Sequence, residues 1–462
     1  MKNMSLENIA AACGGRYYGD ENKKKQIVTS ITTDSRKAEN GCLFVAIKGE
    51  RVDGHDFVSQ VYREGALCVL SERELTGDEL GGSYILVESS LQAVKDIAEF
   101  YRQQLDVKVV GITGSVGKTS TKEMIASVLS EKYNVLKTIG NFNNELGLPL
   151  TIFRLREEHE IAVLEMGISD FGEMHRLSKI ARPDICVITN IGQCHLEFLK
   201  SRDGILKAKS EIFDFIAGDG SIVLNGDDDK LAGISSVKGI RPVFFGIESG
   251  REIYADNIES RGLSGIQSTI HVCEEKSEES FTVLIPIPGR HMVLNAMAGT
   301  AVGRLLGLDL EEIRNGIGKL ESLKGRFHII EHAGRTIVDD CYNASPAAMK
   351  ASLDVLSEAQ GRRVAILGDM FELGEDSALL HAGVGEHASD NRIDLLICVG
   401  DMCRHMAEAA FNSGGCREVL QVPTLEALLQ TLPKLTEEGD TILVKASHGM
   451  HFEKVIEKLQ EL

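Results

Sequence analysis

Val107-Lys-Val-Val-Gly-Ile-Thr-Gly-Ser-Val-Gly-Lys-Thr-Ser-Thr-Lys-Glu-Met124 joins a β-branched run, a glycine-rich turn and an amphipathic segment. The β-branched run is typical of a buried parallel strand. Apolar residues recur at helical spacing after Lys118, which predicts a helix that starts near that residue. Unpaired N–H groups at such a helix start favour phosphate as a ligand. The segment therefore predicts a phosphate-binding loop between a strand and a helix.

This loop departs from the general P-loop pattern at one position. The pattern requires glycine where this chain has Ile112, and the nearer glycine is Gly114. In that pattern Lys118 would contact the β- and γ-phosphates, and the Thr119 hydroxyl would bind Mg²⁺. The strand–turn–helix context is complete, so we favour a nucleotide site over a glycine-rich loop that binds nothing.

Composition limits the class of protein. The chain has 462 residues, which suits two to four domains, and a net charge of −19 argues against nucleic acid as the main partner. The N-terminus has no signal-peptide pattern, and no apolar run reaches membrane-spanning length. The ten cysteines are scattered without a C-x-x-C pair, so we expect buried thiols and a reducing cytoplasm.

Strand and helix patterns extend on both sides of the loop. Upstream we expect strands over 42–47 and 66–70 and a helix over 91–104. Downstream we expect strands over 161–166, 185–190 and 221–225, then antiparallel strands within 243–287 and a helix from His291. A second series of strands and helices begins after residues 324–326. There we expect strands over 335–339, 363–367, 394–399 and 441–445 that alternate with helices such as 347–359. That alternation predicts a doubly wound domain.

Several polar residues could bind a metal ion or phosphate or act as an acid–base group, and each also has a purely structural explanation. Glu165 ends a predicted strand and offers an oxygen ligand for Mg²⁺, or it caps a helix. His195 is a metal ligand or acid–base group, or a structural histidine. Lys209 has the pattern of an exposed helix lysine. Arg36, beside Ser35, is either a phosphate clamp or part of a surface turn.

The loop Thr113-Gly-Ser-Val-Gly-Lys-Thr-Ser120 resembles the ATP loop of the Mur ligases, and further blocks extend the resemblance over essentially the whole chain. These blocks are 141–145, 165–167, 189–195, 208–209, 288–295, 339–346 and 367–374. The last two are similar to the family member that adds D-alanyl-D-alanine. The resemblance implies an α/β fold of three domains. Residues 1–86 would form a small mixed α/β domain that binds the UDP-substrate. Residues 87–324 would form a central P-loop ATP domain with a mostly parallel sheet plus antiparallel strands, and 325–462 a Rossmann-like doubly wound domain.

The resemblance also implies an activity and a site. ATP would phosphorylate the terminal carboxylate of UDP-N-acetylmuramoyl-tripeptide, and the amine of D-alanyl-D-alanine would attack the acyl phosphate, as a step of peptidoglycan synthesis. The implied ATP-binding residues are Gly114, Ser115, Val116, Gly117, Lys118, Thr119, Ser120, Asn295, Arg326 and Asp340. The implied ligands of two Mg²⁺ ions are Thr119, Glu165, His195 and a carbamylated Lys209, and Lys118, Glu165, His195 and Lys209 would be catalytic. The implied substrate-binding residues are Ser35, Arg36, Asp53, Gly54, His55, Asn143, Asn144 and Asn343.

Alternatives remain open at this point. A sibling amide ligase would add another amino acid, either the third peptide residue or glutamate to folate, and a P-loop switch or scaffold would bind nucleotide without ligation. His448 stands where the family block usually has arginine, which puts a charge-clamp role of this position in doubt. Nothing in the sequence demands more than a monomer.

Overall fold

The structure is a computed structural model that describes residues 1–194, 196–274 and 277–462. The chain forms two compact units, each built from separate stretches. The first unit comprises Met1–Thr113, Lys132–Val187 and Ala208–Ile222, and the second comprises Gly114–Glu131, Ile188–Lys207 and Val223–Leu462. Helices and mostly parallel strands alternate in both units, so the predicted α/β class is confirmed. The three-domain division stays a prediction.

The N-terminal part of the first unit is a five-stranded sheet with helices beside it. Its elements are α1 (Leu6–Ala12), β1 (Arg16–Tyr18), β2 (Ile31–Thr32), β3 (Leu43–Val45), α2 (Val58–Arg63), β4 (Cys68–Ser71), β5 (Ser83–Leu86) and α3 (Ser90–Arg102). The strand order is β1-β5-β4-β3-β2, with β1 antiparallel to β5 and the other pairs parallel. The sequence predicts β3, β4 and α3, but it misses β1, β2 and β5, which are two to four residues long.

The phosphate-loop region follows the predicted strand–turn–helix order. Its elements are β6 (Lys108–Thr113), α4 (Lys118–Leu129), β7 (Val135–Lys137), α5 (Gly147–Ile152), β8 (Ile161–Glu165), α6 (Glu173–Ala181), β9 (Ile185–Ile188), α7 (Leu196–Leu199), α8 (Arg202–Ser210) and β10 (Ser221–Asn225). In the first unit the strands lie in the order β9-β6-β8-β7, and β8 pairs in parallel with both β6 and β7. The pairing places Ile112 beside Glu165 at the carboxyl end of the sheet.

The second unit contains the predicted antiparallel strands. Its next elements are β11 (Val243–Gly246), β12 (Ile253–Ser260), β13 (Ile266–Glu274), β14 (Ser277–Ile285), α9 (Arg290–Leu305) and α10 (Leu310–Gly318). β13 is antiparallel to β12 and to β14, whereas β11 pairs in parallel with β10 and β12. The phosphate-loop helix α4 packs against α9, whose residues from Ala296 to Gly303 are all buried.

The C-terminal part of the second unit is a six-stranded doubly wound sheet. Its elements are β15 (His328–His332), β16 (Arg335–Asp339), α11 (Pro346–Ser357), β17 (Arg362–Gly368), α12 (Ser377–Asp390), β18 (Leu395–Val399), α13 (Cys403–Ser413), β19 (Glu418–Val422), α14 (Leu425–Leu435), β20 (Asp440–Lys445) and α15 (Glu453–Gln460). The strand order is β15-β16-β20-β17-β18-β19, and all pairs except β15–β16 are parallel. The carboxyl ends of β16 and β20 are therefore neighbours. No helix among the described residues has the length and apolar character needed to cross a membrane.

Candidate active site

Two glycines give the phosphate loop its path. Gly117 has φ +81° and directly precedes α4, and this left-handed backbone favours glycine. A Cβ atom on Gly114 would lie 1.9 Å from Oγ1 of Thr189, so any side chain there would collide. The Thr189 hydroxyl instead donates a hydrogen bond to the carbonyl of Val116 at 2.7 Å. The close approach of Thr189 to the loop therefore requires glycine at position 114.

Asn190 holds the same loop from the segment that follows β9. Its carbonyl accepts the N–H of Ser115 at 3.0 Å, and its side-chain oxygen accepts the N–H of Val116 at 2.9 Å. Its amide nitrogen donates to the Val116 carbonyl at 2.9 Å. Lys118 Nζ donates to the carbonyl of Gly114 at 2.9 Å. Sequence reasoning placed Asn190 at a strand end but did not identify it as the residue that fixes the loop.

A cavity of about 620 Å³ lies beside this loop within the second unit. Its volume falls in the range of about 300–1,000 Å³ that is usual for small-molecule sites. Seven of the implied ATP-binding residues line it, namely Val116, Gly117, Thr119, Ser120, Asn295, Arg326 and Asp340. Gly114, Ser115 and Lys118 belong to the adjoining loop. The tertiary structure thus brings together residues that lie more than two hundred positions apart in the sequence.

Asn295 is fixed in the cavity wall by α4. Its side-chain oxygen accepts a hydrogen bond from the Thr121 hydroxyl at 2.8 Å, and both residues are buried. Its amide nitrogen lies 3.3 Å from the sulfur of Met292. A buried amide with a satisfied oxygen has a defined orientation. The Asn295 side chain is therefore ordered by the protein itself.

Asp340 is the centre of a buried polar network at the end of β16. Its Oδ2 atom accepts hydrogen bonds from Ser352 Oγ at 2.7 Å and from Lys445 Nζ at 2.6 Å. Its Oδ1 atom accepts the N–H of Phe327 at 3.2 Å. Lys445 ends β20, the strand beside β16, and is 4% exposed. Sequence reasoning selected Asp340 but missed its cationic partner, because only the strand order places the two residues together.

Glu165 and Asn143 form a pair within the first unit. Glu165 is the last residue of β8 and is 2% exposed. Its Oε1 atom accepts a hydrogen bond from Asn143 Nδ2 at 2.8 Å. The neighbouring Asn144 instead accepts the N–H groups of Leu146 and Gly147 with its side-chain oxygen, at the start of α5. Asn143 therefore orients the carboxylate that the family resemblance predicts to be a magnesium ligand.

Lys209 is buried, contrary to the prediction from its sequence pattern. Its sequence pattern predicts an exposed helix lysine, but it is only 1% exposed in α8. Ile205 and Ala208 of the same helix are completely buried, and residues four positions apart share a helix face. Lys209 thus lies on the buried face with Ile205, and the prediction of an exposed lysine was wrong. His195, another implied metal ligand, lies outside the described residues.

The implied UDP-substrate residues occupy two turns of the N-terminal sheet. Arg36 is 83% exposed at its side chain and forms two 2.8 Å hydrogen bonds with Asp34, which begins the turn containing Ser35. The Arg36 guanidinium lowers the pKa of Asp34 to about 2. The exposed position agrees with a surface turn and leaves the guanidinium accessible. A role in substrate binding stays a prediction.

The second turn contains Asp53, Gly54 and His55. The His55 ring is 4% exposed and lies 2.6 Å from Asp53 Oδ1, while its Nε2 atom accepts the N–H of Glu72 at 3.2 Å. A Cβ atom on Gly54 would lie 2.7 Å from the backbone nitrogen of Ile47. Both His55 nitrogens thus have protein partners. In the second unit, Asn343 is exposed and its side-chain oxygen accepts the N–H of Ala344 at 2.9 Å.

Asp369, His381 and Cys403 form a buried cluster with the composition of a metal site. However, His381 Nδ1 donates to the Ser377 carbonyl at 2.7 Å, and its Nε2 accepts the N–H of Met370 at 2.9 Å. Burial raises the pKa of the Cys403 thiol, which disfavours the thiolate that binds metals. Asp369 accepts the N–H of Cys403 at 2.8 Å. The cluster therefore stabilises the end of β17 and is not suited to hold an ion.

The phosphate loop, the adjoining cavity and the doubly wound sheet define a nucleotide-binding α/β protein. Three family models match the chain, and they describe the Mur ligase family catalytic domain at residues 27–106, the Mur ligase middle domain at 112–303 and the Mur ligase glutamate ligase domain at 325–448. The chain belongs to the Mur ligase family. It is thus a ligase of that family, and the resemblance inferred from sequence is confirmed.

The chain is similar over its full length to individual family members. It is 37% identical to UDP-N-acetylmuramoyl-tripeptide–D-alanyl-D-alanine ligase of Bacillus subtilis, across 99% of this chain and 98% of that protein. A crystal structure of MurF from Acinetobacter baumannii superposes with a TM-score of 0.86 at 33% identity, covering 99% of each chain. MurF ligase from Thermotoga maritima, in complex with ADP, superposes with a TM-score of 0.79 at 32% identity, covering 94% of this chain and 97% of that one.

Proposed function

We propose that the protein joins D-alanyl-D-alanine to UDP-N-acetylmuramoyl-tripeptide with conversion of ATP to ADP and phosphate, as a step of peptidoglycan synthesis. The observation that carries this proposal is the full-length similarity to the Bacillus subtilis ligase of that name. The ADP complex of the Thermotoga maritima relative supports ATP as the nucleotide. The 620 Å³ cavity beside the phosphate loop supports the same choice.

The first step brings together two anions, the tripeptide carboxylate and the γ-phosphate of ATP, so cations are needed around them. A carboxylate oxygen of the tripeptide attacks the γ-phosphorus of ATP, and the bond from that phosphorus to the β–γ bridging oxygen breaks to release ADP. The amine of D-alanyl-D-alanine then attacks the acyl carbon, loses a proton and displaces phosphate. Lys118 and the N–H groups at the start of α4 would bind the phosphates and stabilise the charge that develops on them. Asn295 would orient the adenine, Arg326 would reach the phosphates and Asp340 would contact the ribose.

Two Mg²⁺ ions would be held by Thr119, Glu165, His195 and a carbamylated Lys209. The hydroxyl and carboxylate oxygens of Thr119 and Glu165 are hard ligands that suit Mg²⁺, which would neutralise phosphate charge when bound. Lys209 is 1% exposed, as expected of a ligand enclosed beside a metal ion, and carbamylation would replace its cationic amine with an anion. The resulting carbamate would be a carboxylate-like ligand on the same helix face.

The other implied residues would bind the UDP-substrate and the peptide. Ser35, Arg36 and the turn Asp53-Gly54-His55 would bind the uridine diphosphate part. Asn143, Asn144 and Asn343 would line the path of the peptide. Domains at 1–86, 87–324 and 325–462 would carry the UDP-substrate, ATP and ligase functions. We expect a monomer, and the ten cysteines, all of which are free thiols, fit a reducing cytoplasm.

A coupled assay of ADP release tests the proposed function. Release is expected with ATP, UDP-N-acetylmuramoyl-tripeptide and D-alanyl-D-alanine together, and not when any one is omitted. Parallel reactions should contain either diaminopimelate or lysine as the third residue of the tripeptide, which identifies the preferred substrate. Release with a different amino donor only would identify a sibling amide ligase. Nucleotide binding without ADP release under any of these conditions would identify a scaffold and overturn the proposal.

A further inference from the structure

Arg326 enters the cavity from a turn whose backbone is tightly held. Gly325 and Phe327 on either side of it have φ values of +77° and +51°. Asp339 Oδ2 accepts the N–H of Gly325 at 2.9 Å, and Asp340 Oδ1 accepts the N–H of Phe327 at 3.2 Å. Two consecutive carboxylates at the end of β16 thus fix both neighbours of Arg326. The position from which its side chain departs is therefore set by the C-terminal sheet.

The side chain of Arg326 is held by an aromatic ring. Its Cζ atom lies 4.1 Å from the centroid of the Tyr342 ring, which is a cation–π distance. The Tyr342 N–H donates to the Gly325 carbonyl at 3.1 Å, which joins the two segments through the backbone. The Tyr342 ring in turn packs against the His448 imidazole, with centroids 5.2 Å apart. Arg326, Tyr342 and His448 form a stack that joins the turn before β15 to the ends of β16 and β20.

This stack leaves the edge of the guanidinium available. A cation–π contact occupies none of the N–H donors of arginine, which lie in the plane of the guanidinium group. Within residues 1–194, 196–274 and 277–462, no hydrogen bond or ion pair involves the Arg326 guanidinium. Arg326 lines the cavity, so its donors are available to an anionic ligand there. Arg326 thus combines a guanidinium group held by the Tyr342 ring with N–H donors suited to phosphate oxygens.

We propose that Tyr342 and His448 are positioning residues for phosphate recognition by Arg326. The proposal rests on the proposed function, because it assumes that the ligand in the cavity is a nucleotide. Tyr342 would hold the guanidinium before the nucleotide binds, and His448 would hold the Tyr342 ring. An arginine that is already ordered loses less rotamer entropy on binding, which improves affinity without a new ligand contact.

Nucleotide binding tests this proposal separately from ligation. ADP binding to the full-length chain should be measured calorimetrically for the wild type, Tyr342→Leu and Tyr342→Phe. Leucine removes the π face and should raise the Kd for ADP by roughly three- to thirtyfold. Phenylalanine retains the face and should preserve the affinity. Tyr254→Leu is the matched control, because Tyr254 also stacks on a histidine, His271 at 4.3 Å, but does not line the cavity.

A double-mutant cycle distinguishes positioning from a general structural effect. In an Arg326→Ala background, Tyr342→Leu should cause no further loss of ADP affinity. His448→Leu should weaken ADP binding in the wild type but cause no further loss in the Arg326→Ala background, and this comparison carries the test if Tyr342→Leu fails to fold. Equal losses in both backgrounds, or a Tyr342→Phe variant as weak as Tyr342→Leu, would overturn the proposal. A wild type that binds ADP but performs no ligation would instead refute the proposed function.

Discussion

The Asn295 side-chain oxygen accepts a hydrogen bond from the Thr121 hydroxyl at 2.8 Å, although 174 positions separate the two residues. Thr121 lies in the first turns of α4, directly after the phosphate loop, and Asn295 lies in α9. This bond joins the helix that would bind phosphate to the side chain that would orient the base. The two recognition elements of the nucleotide site are thereby fixed in one packed pair of helices.

Removal of this hydrogen bond should destabilise the protein and weaken nucleotide binding. Thr121→Val keeps the shape of the side chain but leaves the buried Asn295 oxygen without its donor, which costs about 1–3 kcal/mol. We expect a lower midpoint in urea unfolding and a higher KM for ATP. Thr282→Val, an exposed threonine on β14, is the control and should change neither quantity. Unchanged stability of Thr121→Val would show that this hydrogen bond makes no net contribution to the free energy of unfolding.

Loss of the Lys118 ammonium should abolish phosphate release while the fold is retained. Charge stabilisation at the transferring phosphoryl group is a transition-state effect, so Lys118→Ala should reduce kcat by about 10²–10³-fold or more. ADP release and circular dichroism should be measured together. Lys319→Ala, at a side chain that is 66% exposed, should behave as the wild type. A folded Lys118→Ala variant with undiminished turnover would contradict the assignment of the ATP site.

Carbamylation of Lys209 should be detectable by NMR in the wild type. In a variant that lacks Lys209, a small carboxylic acid should replace the carbamate in part. We expect ¹³C-labelled CO₂ to give a carbamate resonance in the wild type that is absent from Lys209→Ala. Short carboxylic acids should restore part of the activity of Lys209→Ala, because a free carboxylate can replace the missing ligand. Lys207→Ala, two positions earlier on the exposed side of α8, should retain full activity. Wild-type activity of Lys209→Ala without added acid would exclude the role.

The pKa of the Glu79 carboxyl should rise when Arg73 is removed. Two hydrogen bonds from Arg73, at 2.8 and 2.5 Å, lower the pKa of the Glu79 carboxyl to about 2. A lowered folded-state pKa stabilises the fold above the unfolded pKa of about 4.3, and this contribution is lost as pH falls towards 2. The pair is partly exposed, so the contribution is about 1 kcal/mol or less.

An NMR titration of the Glu79 carboxyl carbon measures this shift directly. Arg73→Gln should return the Glu79 pKa towards its ordinary value, and Glu79→Gln should remove the corresponding part of the acid dependence of stability. Arg36→Gln, which disrupts the separate ion pair with Asp34 in the N-terminal part of the chain, should leave the Glu79 pKa unchanged. A Glu79 pKa that is the same with and without Arg73 would contradict the proposed cause.

Local pattern determined the elements around the phosphate loop. β-branched runs, helical spacing and the glycine turn located β6 and α4, and β10 and β16 have the predicted bounds. The polar strand ends at Glu165 and Asn190 were also identified, because a parallel sheet presents its carboxyl ends at one edge. Strands such as β1, β2 and β7 were missed, since two or three residues give too short a pattern to recognise.

Contacts between distant segments were decided only by the tertiary structure. The pairing of Asp340 with Lys445 spans 105 positions and follows from the insertion of β20 between β16 and β17. The burial of Lys209 depends on which face of α8 packs inward, and the stack of Arg326 on Tyr342 depends on a turn held by two aspartates. The sequence by itself predicted the elements around the phosphate loop and the family to which the chain belongs. Chain topology and packing decided which of these groups meet, because such contacts have no fixed spacing along the chain.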